Sequence, residues 1–143
     1  MKIAAYIFIG LIVLVCVLFL ILGKKSQNGQ AFGLVDGRLA PCSSKPNCVS
    51  SEEGSPSAAS VDGFDITQWS ALKDAIKAQG GNITTQSDDY FSAEFSSKLF
   101  KFVDDFEARL DGDKIQIRSA SRVGYSDRGV NRQRVESLRL VLK

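Results

Sequence analysis

Ile3 to Leu22 is an unbroken run of twenty residues without a charged side chain. At about 1.5 Å per residue, a helix of that length covers about 30 Å, the thickness of a bilayer hydrocarbon core. The chain is therefore expected to begin with one transmembrane helix, Tyr6 near one end and Lys24 and Lys25 closing the other. A cleaved signal peptide competes with this reading. It needs a shorter apolar stretch and a small-residue cleavage site, and Leu22-Gly23-Lys24-Lys25 offers none. Lipidation at Cys16 is a third reading, but bulky Val15 stands where a small residue is wanted. An uncleaved signal anchor is the expectation. Lys2 competes with Lys24 and Lys25, so the positive-inside rule leans weakly against an external domain.

Two further cysteines bear on orientation. Five residues separate Cys42 from Cys48, and Pro41, Pro46 and Asn47 are turn formers that can fold the segment back on itself. A Cys42–Cys48 disulfide is geometrically reasonable; two free structural thiols are the alternative. A disulfide implies an oxidising compartment. The expectation is then a single-pass protein of the cell membrane, its soluble domain in the periplasm or another extracytoplasmic space. Two thiols without histidine cannot fill a zinc site, so no metal and no cofactor is expected.

The rest of the 143-residue chain has room for one domain. We divide the whole chain into an anchor (1–25), a tether and cysteine loop rich in Gly, Ser and Pro and expected to lie over the domain surface (26–61), and a folded domain (62–143). Asp65-Ile66-Thr67-Gln68 reads as a capping box. Trp69, Leu72, Ala75 and Ile76 give the helical stripe behind it, and Gly80-Gly81 ends the helix. Strands are expected at Asn82–Ser87, Tyr90–Phe95, Phe102–Leu110 and Lys114–Arg122. Asp111-Gly112 is the turn of the last hairpin. A final helix from Asn131, its cap, to Leu142 carries Val135, Leu138 and Leu142. The fold class is α+β: a two-layer sandwich of a four-stranded antiparallel sheet with two helices on one face, plus the transmembrane helix.

That turn sets Leu110 opposite Asp113 and Phe106 opposite Ile117, the latter pair on the core face, and it sets Asp105 opposite Arg118 and Glu107 opposite Gln116 on the face away from the core. Asp104 falls on the apolar face, across from Ser119, and needs partners there. Asp104, Asp105 and Glu107 are read as structural acids. The net charge of +2 argues against a nucleic-acid partner. The charges are segregated: residues 86–113 carry eight acids against three bases, and 114–143 carry eight bases against two acids. Histidine is absent, which removes the commonest general base and metal ligand.

The stretch from Arg118 to Arg134 is rich in arginine, with Gly124 and Gly129 where a strand gives way to a helix. Such turns suit anions. Arg118, Ser119, Arg122, Tyr125, Ser126, Asp127, Arg128, Asn131 and Arg132 are the candidate ligand-binding residues. The competing reading is a connecting loop whose arginines satisfy carbonyls and the nearby acids. No catalytic residue is assigned.

Three segments together resemble a known family, the domain of unknown function 1499 (DUF 1499). They are the loop Pro41-Cys42-x5-Cys48-Val49-Ser50-Ser51, the strand Phe100-x-Phe102-Val103-Asp104-Asp105-Phe106-Glu107, and the Arg118–Arg134 stretch with its Gly124-Tyr125-Ser126-Asp127. The resemblance covers about Leu39 to Leu142. Ser43 and Ser44 depart from it, standing where a proline is common. Members are typically bacterial envelope proteins, with relatives in plastids, so the resemblance implies export and supplies no activity. The expected function is a non-enzymatic binding module for an envelope protein partner or a small anionic ligand. The alternatives are a hydrolase-like enzyme using Asp104, Tyr125, Ser126 or Asp127, and an assembly role beside another membrane protein.

Overall fold

The computed structural model describes residues 2–143; Met1, the first residue of the expected anchor segment, lies outside them. The chain folds as α+β with an apolar N-terminal helix and antiparallel sheets. Helix α1 is Lys2–Gln27, long and apolar enough to cross a membrane, with none of its apolar window buried.

A short hairpin follows, β1 (Leu34–Val35) and β2 (Arg38–Leu39). Its turn is Asp36-Gly37, both at positive φ (52° and 76°), the requirement of a type I′ turn. The main sheet holds β3 (Cys48–Ser50), β4 (Phe64–Asp65), β5 (Asn82–Gln86), β6 (Tyr90–Ser96), β7 (Val103–Asp111) and β8 (Lys114–Ser121). The order is β3-β8-β7-β6-β5, with β4 also paired to β8. The sheet thus has six strands where the sequence suggested four. The two additions are three and two residues long and sit in Ser- and Gly-rich chain, too short to show an alternation. Between them Ser51 keeps the ladder closed: its Oγ accepts from Ile117 N at 2.8 Å, and its N–H donates to Ile117 O at 2.9 Å.

The β7–β8 register differs from the expectation by two residues. Asp111 faces Lys114, Leu110 faces Ile115, Glu107 faces Arg118, and Asp104 faces Ser121. At this turn Gly112 alone takes positive φ (60°), so the turn centres on Gly112-Asp113, with glycine leading as in type II′. A shift of two preserves which face each side chain occupies and changes every partner.

Asp65 forms the expected capping box: its Oδ1 accepts from Thr67 N, and its own N–H donates to Gln68 Oε1. A 3-10 turn, Ile66–Gln68, then leads into α2 (Trp69–Ala78). Helix α3 spans Val130–Val141. Leu72 and Ile76 from α2 and Val135 and Leu138 from α3 share one buried cluster with Phe91, Phe106, Ile115 and Ile117. Asn131 does not cap α3. Asp127 does, its carboxylate accepting from Gly129 N and Asn131 N, which frees the Asn131 side chain for a buried network.

The other face of the sheet is not open. Residues 26–61, the expected tether, run across it and along its edge: Ser26, Leu39, Glu52 and the Cys42–Cys48 disulfide are all buried. The two cysteine Cα atoms are 5.7 Å apart, inside the range a bridge allows.

Candidate functional site

On that covered face, alternate positions of β7 and β8 put Asp105, Glu107, Arg109, Arg118 and Arg122 in one layer. The first four are under 8% exposed. Each acid has its base. Glu107, fully buried, accepts from Arg118 Nη1 at 2.9 Å, Tyr90 Oη at 3.0 Å and Gly33 N at 2.8 Å. Asp105 takes a two-pronged bond from Arg122, at 2.8 and 2.7 Å, and the same guanidinium reaches Glu94 and the carbonyl of Ser26. Arg109 grips Glu52 by two bonds, 2.9 and 2.7 Å, and continues to Asp111. The sequence-based pairing of Asp105 with an exposed Arg118 is therefore replaced. Asp105 holds Arg122, Glu107 holds Arg118, and both pairs are buried.

The surroundings move proton affinities accordingly. Burial, then the negative charge of Glu107, pushes the Tyr90 hydroxyl well above the ordinary tyrosine range. The bond to Asp105, followed by that to Glu94, holds the Arg122 guanidinium still more firmly protonated. Asp111 is lowered by Gln116 and then Arg109.

On the helix side, Asp104 accepts from Ser121 Oγ and from Arg134 Nη2 at 2.8 Å. Ser119 and Asn131 are both fully buried and bonded to each other at 2.7 Å; Arg134 donates to both. Asn131 also donates to the carbonyl of Asn47 and to Asp127. Arg132 donates to the carbonyls of Ala58 and Ser60. Ser126 Oγ accepts from Arg128 N, and Tyr125 is 72% exposed. The nine sequence-selected residues thus divide between a buried network around Asn131, the loop Tyr125–Arg128 at the surface, the ion-layer arginines Arg118 and Arg122, and Arg132, which ties α3 to the Ala58–Ser60 segment.

One cavity is built differently. A cleft of about 380 Å³ opens beside the disulfide. Lys25, Lys45, Arg118 and Arg122 line it with Ser43, Asn47, Ser121 and Phe32, and no acidic side chain is among the lining residues. Arg118 lies within it, 6% exposed, under the ring of Phe32 at 4.9 Å from its centroid. Its Nε is the only buried side-chain nitrogen or oxygen among the described residues without a hydrogen-bond partner. Such groups are rare because burying a donor without an acceptor costs about 1–3 kcal/mol. A smaller recess of about 190 Å³, reached by Asp105, adjoins it. Among the described residues no group of three or more cysteines and carboxylates is placed to hold a metal ion.

Glu52, Phe32, Lys25 and Lys45 were not legible as site residues. For Glu52 a signal existed: it and Glu53 are the only acids between Asp36 and Asp62.

No curated protein matches the chain. A family model described as "Protein of unknown function (DUF1499)" matches residues 38–142, from the second strand of the small hairpin to the end of the last helix. That span takes in the disulfide loop, the ion layer and the Asn131 network, and on it the chain belongs to the DUF1499 family.

Proposed function

We propose that this is a membrane-anchored, non-enzymatic binding module of the cell envelope, and that the cleft beside the disulfide receives a small anion or an anionic group of a larger ligand. The observation that carries the reading is a cleft lined by four bases and no acid, one of the bases, Arg118, having a buried Nε without a hydrogen-bond partner behind the wall. An oxyanion is the complementary guest: it accepts from the ammonium groups of Lys25 and Lys45 and from the hydroxyl of Ser43, with the positive charge of Arg118 beneath it. Arg122, held by Asp105 and Glu94, serves as wall rather than as ligand. Tyr125, Ser126, Asp127, Arg128 and Arg132 belong to the loop and helix start on the other side of Cys48. There a second cleft of about 300 Å³ gives a partner side chain room.

Anchoring is supported by how α1 ends. Ser26 is fully buried, its Oγ accepting from Val103 N at 2.8 Å, and a Cβ on Gly23 would stand 1.9 Å from the carbonyl oxygen of Phe100. A segment destined for removal has no need of such fitting. The bridged Cys42 and Cys48 support a domain outside the cytosol.

The test is the melting midpoint of the intact chain in detergent, in phosphate or sulfate against chloride at matched ionic strength. A ligand that binds only the folded state raises the midpoint. The expected result is a rise at millimolar oxyanion that is lost in the Lys25→Ala/Lys45→Ala double variant, whose two side chains are exposed. Equal midpoints in all three salts overturn the reading.

A further inference from the structure

The six residues between β6 and β7, Ser97-Lys98-Leu99-Phe100-Lys101-Phe102, combine three large apolar side chains and two lysines with no acid. The loop is well defined: Ser97 N donates to the carbonyl of Phe102 at 2.8 Å, Phe102 N donates to Ser97 Oγ at 2.9 Å, and Lys101 turns the chain at φ 56°. Leu99 at its tip is 77% exposed, beyond what a hairpin tip needs for folding.

The depth of this loop is fixed by α1. Phe19 lies one turn inside the end of the apolar run, and its ring meets Phe100 at 5.1 Å and Phe102 at 6.2 Å. Helical side chains lean toward the amino end, so the Phe19 ring lies deeper in the apolar run than its backbone. Ser26 and Gly23 lock the same helix against Val103 and Phe100. A ring touching Phe19 is therefore at the level of the acyl chains if α1 spans the bilayer. The neighbouring surface is mixed: an open cleft of about 540 Å³ has Phe19, Leu22, Phe102, Val123, Tyr125 and Val130 in its lining together with Asp104, Asp127 and Arg128. Tyr125, largely exposed, then lies where interfacial tyrosines are enriched.

We infer that the β6–β7 loop is a second membrane contact. Leu99 and Phe100 sit in the apolar edge of the bilayer, Lys98 and Lys101 reach back to lipid phosphates, and the domain is held against the membrane surface rather than swinging on a tether. This rests on α1 being a membrane span, as proposed above.

The experiment uses the chain in vesicles of neutral and anionic phospholipid, with Cys16→Ser to remove the free thiol. An environment-sensitive fluorophore is attached in turn through Leu99→Cys, Ile12→Cys and Asp113→Cys, and quenched by lipids carrying a nitroxide on the acyl chain. Asp113 lies at the opposite end of β7, about 30 Å away at about 3.4 Å per residue. Leu99 and Ile12 labels are expected to be quenched several-fold more strongly than the Asp113 label. Quenching at Ile12 without quenching at Leu99 overturns the loop contact and leaves the anchor standing. No quenching at Ile12 overturns the anchor and the loop contact together.

Discussion

The fully buried Glu107 carboxylate accepts from Arg118, Tyr90 and the backbone of Gly33, so removing it strands a guanidinium and a hydroxyl in the interior. Breaking a buried ion pair costs about 3–5 kcal/mol. Glu107→Ala is expected to lie in that range by denaturant titration. Asp104→Ala, at a site with some solvent access, is expected at about 1–3 kcal/mol; the reverse order contradicts the buried ion layer. Tyr90 adds a pH dependence. Its hydroxyl is raised above the unfolded value of 10.0 by burial and by Glu107, so its contribution is complete below pH 10. Above that the unfolded chain loses the proton and the folded one keeps it, and stability falls. Tyr90→Phe is expected to flatten the alkaline decline of the midpoint, although it also loses one hydrogen bond. An unchanged slope above pH 10 counts against it. The sequence revealed which residues were charged and on which face of β7 and β8 they lay. It did not reveal which face the tether covers or by which contacts, because the cover is made by Ser26, Phe32 and Gly33 in chain with little apolar patterning.

At the scale of elements, the two Asp-Gly dipeptides are instructive. Asp36-Gly37 makes a hairpin turn with both residues at positive φ, and Gly112 at the second makes one with glycine leading. The same two letters give turns one residue apart in phase, and local sequence has little to choose between them. The two-residue period survived that ambiguity, so Phe106 and Ile117 were correctly assigned to the core while Arg118 was given the wrong partner. Capping by Asp65 was legible because both halves of the box are local; capping by Asp127 was not, because Asn131 is drawn off by Asn47 and Ser119. The join of α1 to the sheet carries its own prediction. Gly23→Ala forces a Cβ onto the Phe100 carbonyl, and overpacking of this kind costs about 1–3 kcal/mol. A denaturant midpoint equal to the parent's means that the helix end and the loop do not pack as described.

For the whole molecule, the consequence is a domain built onto the end of its N-terminal apolar helix rather than hung from it. The order of pieces was legible: an apolar helix, a cysteine loop, then an α+β unit. The cleft was not, since it draws Lys25, Ser43, Lys45 and Arg118 from segments far apart in the chain. Its most direct test is anomalous X-ray diffraction from crystals of the intact chain grown with selenate, a sulfate analogue visible at its absorption edge. The account predicts an anomalous peak in the cleft between Lys25 and Lys45, over the Arg118 guanidinium. Ordered waters alone in the cleft, with no anomalous peak at millimolar selenate, contradict it.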